Sequence, residues 1–262
     1  MIAAFRAEIR KILTTRLWWV TLICVFVLAG GYAALPATIG ELDTGAGSSA
    51  FQDPGTLRSI YNGGNPLSRT LALVVGVMAL AGEFRHRTIS ITYLSTPRRN
   101  RVLGAKAAAL FVFGLLYGAA SVLAGMLVAV PYVLSNNGSF FLDRTDTWRS
   151  IALGVVSIAL WTMIGMGLGT LIRNLVVAML VGIGFTFLVE PLISYVFFRR
   201  GWDAALNLLP SGATNAMLDV TSPVLFASTR PLAWWGAAVV LATWCVLPAV
   251  LGAVGTVRRD VS

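Results

Sequence analysis

The chain has little charge, almost no lysine and a single histidine. Charged residues make up 12% of its 262 positions, the only lysines are Lys11 and Lys106, and His86 stands alone among arginines. A histidine with no second or third ligand beside it excludes the usual metal arrangements. Cys24 and Cys245, each inside a long apolar run, are too few for a disulfide framework. No GxxxxGKS/T phosphate loop, HExxH or GxSxG string occurs; Gly104-Ala105-Lys106 comes nearest and lacks the rest of a Walker pattern. The expectation is a chain with no catalytic residue, no metal and no cofactor of its own.

Apolar sequence fills the space that charge leaves. Hydrophobic residues reach 57% and the mean hydropathy is +0.79, a membrane profile. A helix crosses the hydrocarbon with about 20 mostly apolar residues. Six stretches qualify: 17–36, 66–82, 107–134, 148–172, 174–198 and 233–256. The second is short unless Asn65 and its neighbours extend it, and the third is long enough to tilt. Little remains for a separate soluble domain, so residues 1–262 are predicted to be one all-α membrane domain. No small-residue cleavage site follows the first stretch, so a removed signal peptide is not expected.

The formal charge of +9 is distributed with a bias that orients the spans. With both termini inside, residues 1–16, 83–106, Arg173 and 257–262 hold 13 lysines and arginines against 3 acids. The opposite side and its span edges hold 7 arginines (Arg58, Arg69, Arg144, Arg149, Arg199, Arg200 and Arg230) against 8 acids. Basic segments are retained in the cytoplasm, so both termini are expected there. A strongly basic chain also raises the question of nucleic acid, but these cations hug the ends of apolar runs, and a nucleic-acid partner is not expected.

Ile2, Phe5, Ile9 and Ile12 recur at helical spacing opposite Arg6, Arg10 and Lys11, so residues 1–16 read as an amphipathic helix lying in the lipid interface. Gly114/Gly118, Ser121/Gly125 and Gly165/Gly169 repeat small residues at four-residue steps, which lets helix backbones approach closely in lipid. Pro131 and Pro248 fall inside the third and sixth stretches and predict kinks there.

Glu190, followed by Pro191, lies inside the fifth stretch. A carboxylate in hydrocarbon costs about 3 kcal/mol on insertion scales, so it should face protein or water. Two roles are open: lining a pathway or binding a cation, or pairing with Arg199, Arg200 or a polar group of the following loop. That loop, 199–232, is too polar for a seventh span and too apolar for a simple loop. It predicts two short re-entrant helices, the first carrying Trp202, Leu206 and Leu209 and ending at Pro210-Ser211-Gly212, the second carrying Ala216, Met217 and Val220. Residues 37–65, with Tyr61-Asn62-Gly63-Gly64-Asn65-Pro66, read as an irregular external loop.

The string Gly82, Glu83, Arg85, Thr88, Ile89, Leu94, Pro97, Arg98, Arg99, Arg101 and Lys106 resembles the loop after the second span of ABC-2 type transporter permeases, especially the compact actinobacterial ones. The likeness in architecture covers the whole chain, including Leu209-Pro210-Ser211-Gly212 before the last span, and the excess of arginine over lysine suits a GC-rich bacterial genome. The resemblance implies a permease subunit in a bacterial plasma membrane, paired with a second permease chain, identical or related. It also implies two cytoplasmic ATP-binding cassette subunits that hold ATP and magnesium and drive export. By position, residues 83–96 are the implied coupling helix, with Glu83, Arg85, Arg87 and Thr88 as polar contacts and Phe84, Ile91 and Leu94 as apolar anchors. Phe185, Phe187, Glu190 and Tyr195 are the implied lining of the translocation pathway. A gradient-driven secondary transporter and a non-transporting sensor or immunity protein are the alternatives.

Overall fold

The computed structural model describes residues 2–44, 54–85, 99–135, 138–172, 174–220 and 232–259, and these are helical with no strand among them. In chain order the helices are α1 (Ile2–Thr14), α2 (Leu17–Thr44), α3 (Pro54–Tyr61), α4 (Asn65–Arg85), α5 (Arg99–Ser135) and α6 (Thr145–Leu171). They continue with α7 (Leu175–Gly184), a π-helical turn (Phe185–Val189), α8 (Glu190–Arg199), α9 (Asp203–Leu206), α10 (Pro210–Leu218) and α11 (Trp234–Arg259). Among the described residues six stretches are long and apolar enough to cross a membrane: Leu17–Ala34, Pro54–Glu83, Val102–Ser135, Thr145–Leu171, Leu175–Arg199 and Trp234–Gly252.

Helix α6 is the central post, touching α4, α5, α10 and α11 along its length. Its buried positions include Ser150, Gly154, Ser157, Gly165 and Gly169 as well as Ile158, Trp161 and Ile164, so the helix is covered on several sides. In lipid the hydrophobic effect does not drive helices together; close backbone packing does. The glycines supply it. A Cβ on Gly76 of α4 would collide with the Thr162 carbonyl of α6, and one on Gly165 of α6 would collide with the Leu73 carbonyl of α4. Gly114 and Gly118 of α5 stand against Ala159 and Val155 of α6, and Ser121 accepts a hydrogen bond from Ser68 of α4 at 2.8 Å. All three small-residue pairs named from the sequence lie at helix contacts.

Three expectations about the connecting segments are corrected. Residues 37–65 are not wholly irregular: α2 continues to Thr44, and α3 buries Leu57, Ile60 and Tyr61. The turn at Asn62-Gly63-Gly64 lies inside the bundle, where a Cβ on either glycine would strike Ala33 or Ala29 of α2. Glycines there serve close approach, a use that a surface turn mimics in sequence. Pro210-Ser211-Gly212 opens the second short helix rather than closing the first, because Pro210 occupies a first-turn position where its missing N–H costs nothing. On the first short helix Leu206 is buried, yet Trp202 is 54% exposed.

The amphipathic start folds as α1 and packs on α5 and α2. Ile9 and Ile12 reach the core beside Trp18 and Leu22, while Arg6 and Arg10 are exposed. Replacing Gly76 with alanine should therefore force α4 and α6 apart and cost about 1–3 kcal/mol. Gly31→Ala, with nothing within 4 Å of the added carbon, should be neutral or slightly stabilising. Thermal unfolding of the two variants in one detergent checks the contrast.

Candidate functional site

Two charged sites stand out, one at the C-terminal end of α4 and one around Glu190 of α8. At the end of α4 an ion lattice joins three helices. Lys106 of α5, 4% exposed, donates to Glu8 Oε2 of α1 at 2.7 Å and to Glu83 Oε1 of α4 at 2.8 Å. Lys11 of α1 closes the ring, reaching the same Glu83 oxygen at 2.7 Å and Glu8 Oε1 at 3.1 Å. Glu83 sits in the last turn of α4, where the helix dipole disfavours a negative charge, so the two lysines answer a cost that its position creates. Glu8 lies on the inward stripe of α1 with Ile9 and Ile12, which is why an acid there is buried at all.

The lattice shifts the groups outside the spans. Burial pushes the Glu8 carboxyl up, but hydrogen bonds and charge from Lys106, then Lys11, outweigh it and hold it below its ordinary value. Burial pulls the Lys11 ammonium down, and Glu83 and then Glu8 more than reverse this, so it stands above its ordinary value.

The resemblance placed Glu83 against a partner; in this chain it faces inward onto the two lysines. Phe84 and Arg85 belong to the final turn of α4, whereas Arg87, Thr88, Ile91 and Leu94 lie outside the described residues, as does all of 86–98.

The second site gathers around Glu190, 2% exposed. Just before it the helix loosens into a π turn, and the Glu190 N–H donates to the Phe185 carbonyl five residues back. Pro191 follows, with no N–H to continue the α ladder; π turns and prolines are where helices bend. Glu190 Oε1 accepts the Ser211 N–H at 2.5 Å and Oε2 accepts the Ser211 hydroxyl at 2.8 Å. Leu209, the N-cap of α10, offers no side-chain acceptor, so the carboxylate caps that helix from outside and meets the positive end of its dipole. Of the two roles read from sequence, pairing with a polar group of the following loop is what this geometry shows. The partner is Ser211 rather than Arg199 or Arg200. Arg200 instead lies over the Trp202 ring, 5.9 Å from its centre.

The other pathway candidates do not converge with Glu190. Phe185 packs on Trp244 of α11 with ring centres 5.8 Å apart, while Phe187 and Tyr195 are half exposed on the outer surface. The recess beside Glu190, lined by Thr186, Ser194, Leu206 and Asn215 among others, has a volume of about 20 Å³, room for a single water and nothing larger.

Arg69 of α4, which the charge count groups with the external pieces and span edges, is 3% exposed inside the bundle. Its guanidinium lies 5.1 Å from the centre of the Trp161 ring of α6, and Trp161 Nε1 donates to Thr214 of α10 at 3.0 Å. Its placement at helical phase with Asn62 and Asn65 was the available signal. Among the described residues no group of three or more His, Cys, Asp or Glu comes together as a metal site. No protein-family model and no curated protein matches this chain.

The lattice makes a signed prediction. In the native chain the Glu8 contribution is complete above its unfolded value near 4.5 and is lost as pH falls through the lower folded value. The Lys11 contribution is complete below 10.5 and lost as pH rises through the higher folded one. Between those limits the lattice leaves stability flat. Lys106→Met should cost about 3 kcal/mol, because the buried Glu8 then keeps only the half-exposed Lys11 as a partner. It should also let burial dominate at Glu8, so that the variant becomes more stable as pH falls from 8 to 5. Melting temperatures across that range check the slope; a flat profile would show that Glu8 is not the stranded group.

Proposed function

We propose that this chain is the membrane-spanning permease subunit of an ATP-binding cassette exporter in a bacterial plasma membrane. Both termini are cytoplasmic, α1 lies in the inner interface, and the segment before α11 dips into the outer leaflet. A second permease chain and two cytoplasmic ATPase subunits complete the assembly. The observation that carries this reading is the lattice of Glu8, Lys11, Glu83 and Lys106, which ties together the two stems of the basic segment 86–98. A segment whose stems are locked by buried ion pairs passes an applied push into the two spans that hold it. A segment on frayed stems would absorb the push by local unfolding. The arginines at 87, 98, 99 and 101 retain the segment in the cytoplasm and present it to a soluble partner.

In this reading Arg87, Thr88, Ile91 and Leu94 touch the ATPase, Glu83 positions the segment from within, and Phe84 and Arg85 form its junction with α4. Glu190 holds the π turn against α10 beside the pathway, with Phe185 behind it and Phe187 and Tyr195 facing the second permease chain or lipid. A gradient-driven carrier is the second reading; the burial of both Arg69 and Glu190 within apolar stretches favours it, since such carriers place ionisable groups at that depth.

One experiment separates the two. The chain is purified from its own membranes with whatever accompanies it, and ATP hydrolysis is measured beside the Ile91→Asp/Leu94→Asp variant. The expected result is a companion that hydrolyses ATP, lost from the double variant while the chain still inserts and folds. A native complex without ATP hydrolysis would favour the carrier, and side-specific labelling of residues 86–98 from the exterior would overturn both the orientation and the coupling role.

A further inference from the structure

Among the described residues, four buried polar atoms on α4 and the turn before it have no hydrogen-bond partner: Asn62 Oδ1, Asn65 Oδ1, Arg69 Nε and Arg69 Nη1. An unmet amide oxygen in a bundle core is unfavourable, and an unmet guanidinium more so. Asn62 Oδ1 has a partial answer, because it rests on the α-carbon of Gly154, where an added Cβ would collide with it. The remaining three do not. Asn65 and Arg69 are four residues apart on α4, so their side chains adjoin. Asn65 is held in place by its own amide, which donates to Ser157 Oγ of α6 at 2.8 Å and turns Oδ1 away from that helix's hydroxyl. Trp161, one turn beyond Ser157 on α6, floors the other side of Arg69. Glu190 exerts its charge on Arg69 from a distance, but no ion pair joins Arg69 to Glu190.

The set of unmet atoms selects its own ligand. An anion would satisfy the guanidinium and be repelled by the Asn65 oxygen. A metal cation would suit the oxygen and be repelled by the guanidinium. Water alone both donates to one and accepts from the other.

We propose that Asn65, Arg69, Ser157 and Trp161 frame an internal hydration site, one or more ordered waters bridging Asn65 Oδ1 to the Arg69 guanidinium. Arg69 lies in the second turn of α4, inside the apolar stretch Pro54–Glu83. The water keeps Arg69 solvated there. The site does not depend on whether the chain is driven by ATP.

Radiolytic hydroxyl-radical footprinting of the full chain in detergent tests it, because radicals made from a bound water oxidise the side chains beside it. Trp161 is 1% exposed, as is Tyr117, whose surroundings are apolar; Trp148 is 53% exposed. With water in the site, Trp161 should oxidise within about threefold of Trp148 while Tyr117 lags by about tenfold or more. A Trp161 rate as slow as that of Tyr117 would overturn the proposal, and this comparison needs no variant. Exchanging gluconate for chloride should leave the Trp161 rate unchanged; protection by chloride would overturn the proposal by putting an anion on Arg69. In Asn65→Leu, Trp161 labelling should fall toward the Tyr117 rate, and unchanged labelling would count against Asn65 as the acceptor that holds the water.

Discussion

The close approach of α4 to α6 is the contact on which the rest of this structure depends. Gly76 and Gly165 each leave a gap that the facing helix fills with a backbone carbonyl, from Thr162 and from Leu73. At that separation side chains cannot interpose, so the polar groups flanking the contact must meet one another directly. Asn62 reaches Ser150, Asn65 reaches Ser157, and Arg69 lies on Trp161. Wider spacing by one methyl layer would break this seam and strand its donors and acceptors in a medium with no water to replace them. Packing and polar pairing therefore reinforce each other, which is why small residues and polar residues share the same faces of α4 and α6.

The same logic places the charges. Charged residues are scarce in the spans, and the buried ones sit where more than one helix end or dipole can answer them. Lys106 finds two carboxylates because α1 and the end of α4 both converge on the first turns of α5. Glu190 finds a helix N-terminus because the π turn and Pro191 re-aim its side chain toward α10. Arg69 is answered less completely, by a ring face and by the Glu190 carboxylate at a distance, and this is why its environment asks for something the polypeptide does not supply.

Much of the helix inventory was legible in the sequence, since each span announces itself by a run of apolar residues, and the four-residue repeats of glycine and serine marked real contacts. The failures share a cause. Composition cannot distinguish a glycine that turns the chain at the surface from one that lets a helix pass, so Asn62-Gly63-Gly64 read as an outside loop although it packs on Ala29 and Ala33. Nor can it distinguish a charge at a span edge from a charge folded inward. Arg69 and Glu8 both sit at helical phase with apolar neighbours, and only three-dimensional pairing turns that phase into burial. Glu190 was legible as unusual because a carboxylate beside a proline in an apolar run has few explanations, but its partner Ser211 stands 21 residues on, beyond the reach of any local pattern.

Helix α4 carries both unusual regions, Arg69 near its start and Glu83 in its last turn, and fourteen residues of helix hold them about 21 Å apart. Between them lie Gly76 and the face that meets Gly165 and Gly169 of α6, a contact of backbone on backbone. That seam resists sliding, because the Thr162 and Leu73 carbonyls sit in the gaps left by Gly76 and Gly165, and Leu73, Val77, Trp161 and Ile164 pack beside them. A displacement at the lattice end of α4 is thus carried along a stiff rod that takes α6 with it, as far as Asn65 and Arg69. On the proposed function, that is the property a span needs if force arrives at one side of the membrane and is used further along it. The hydrated box would then be the first place where the movement changes a hydrogen bond, because water can re-partner where a packed side chain cannot.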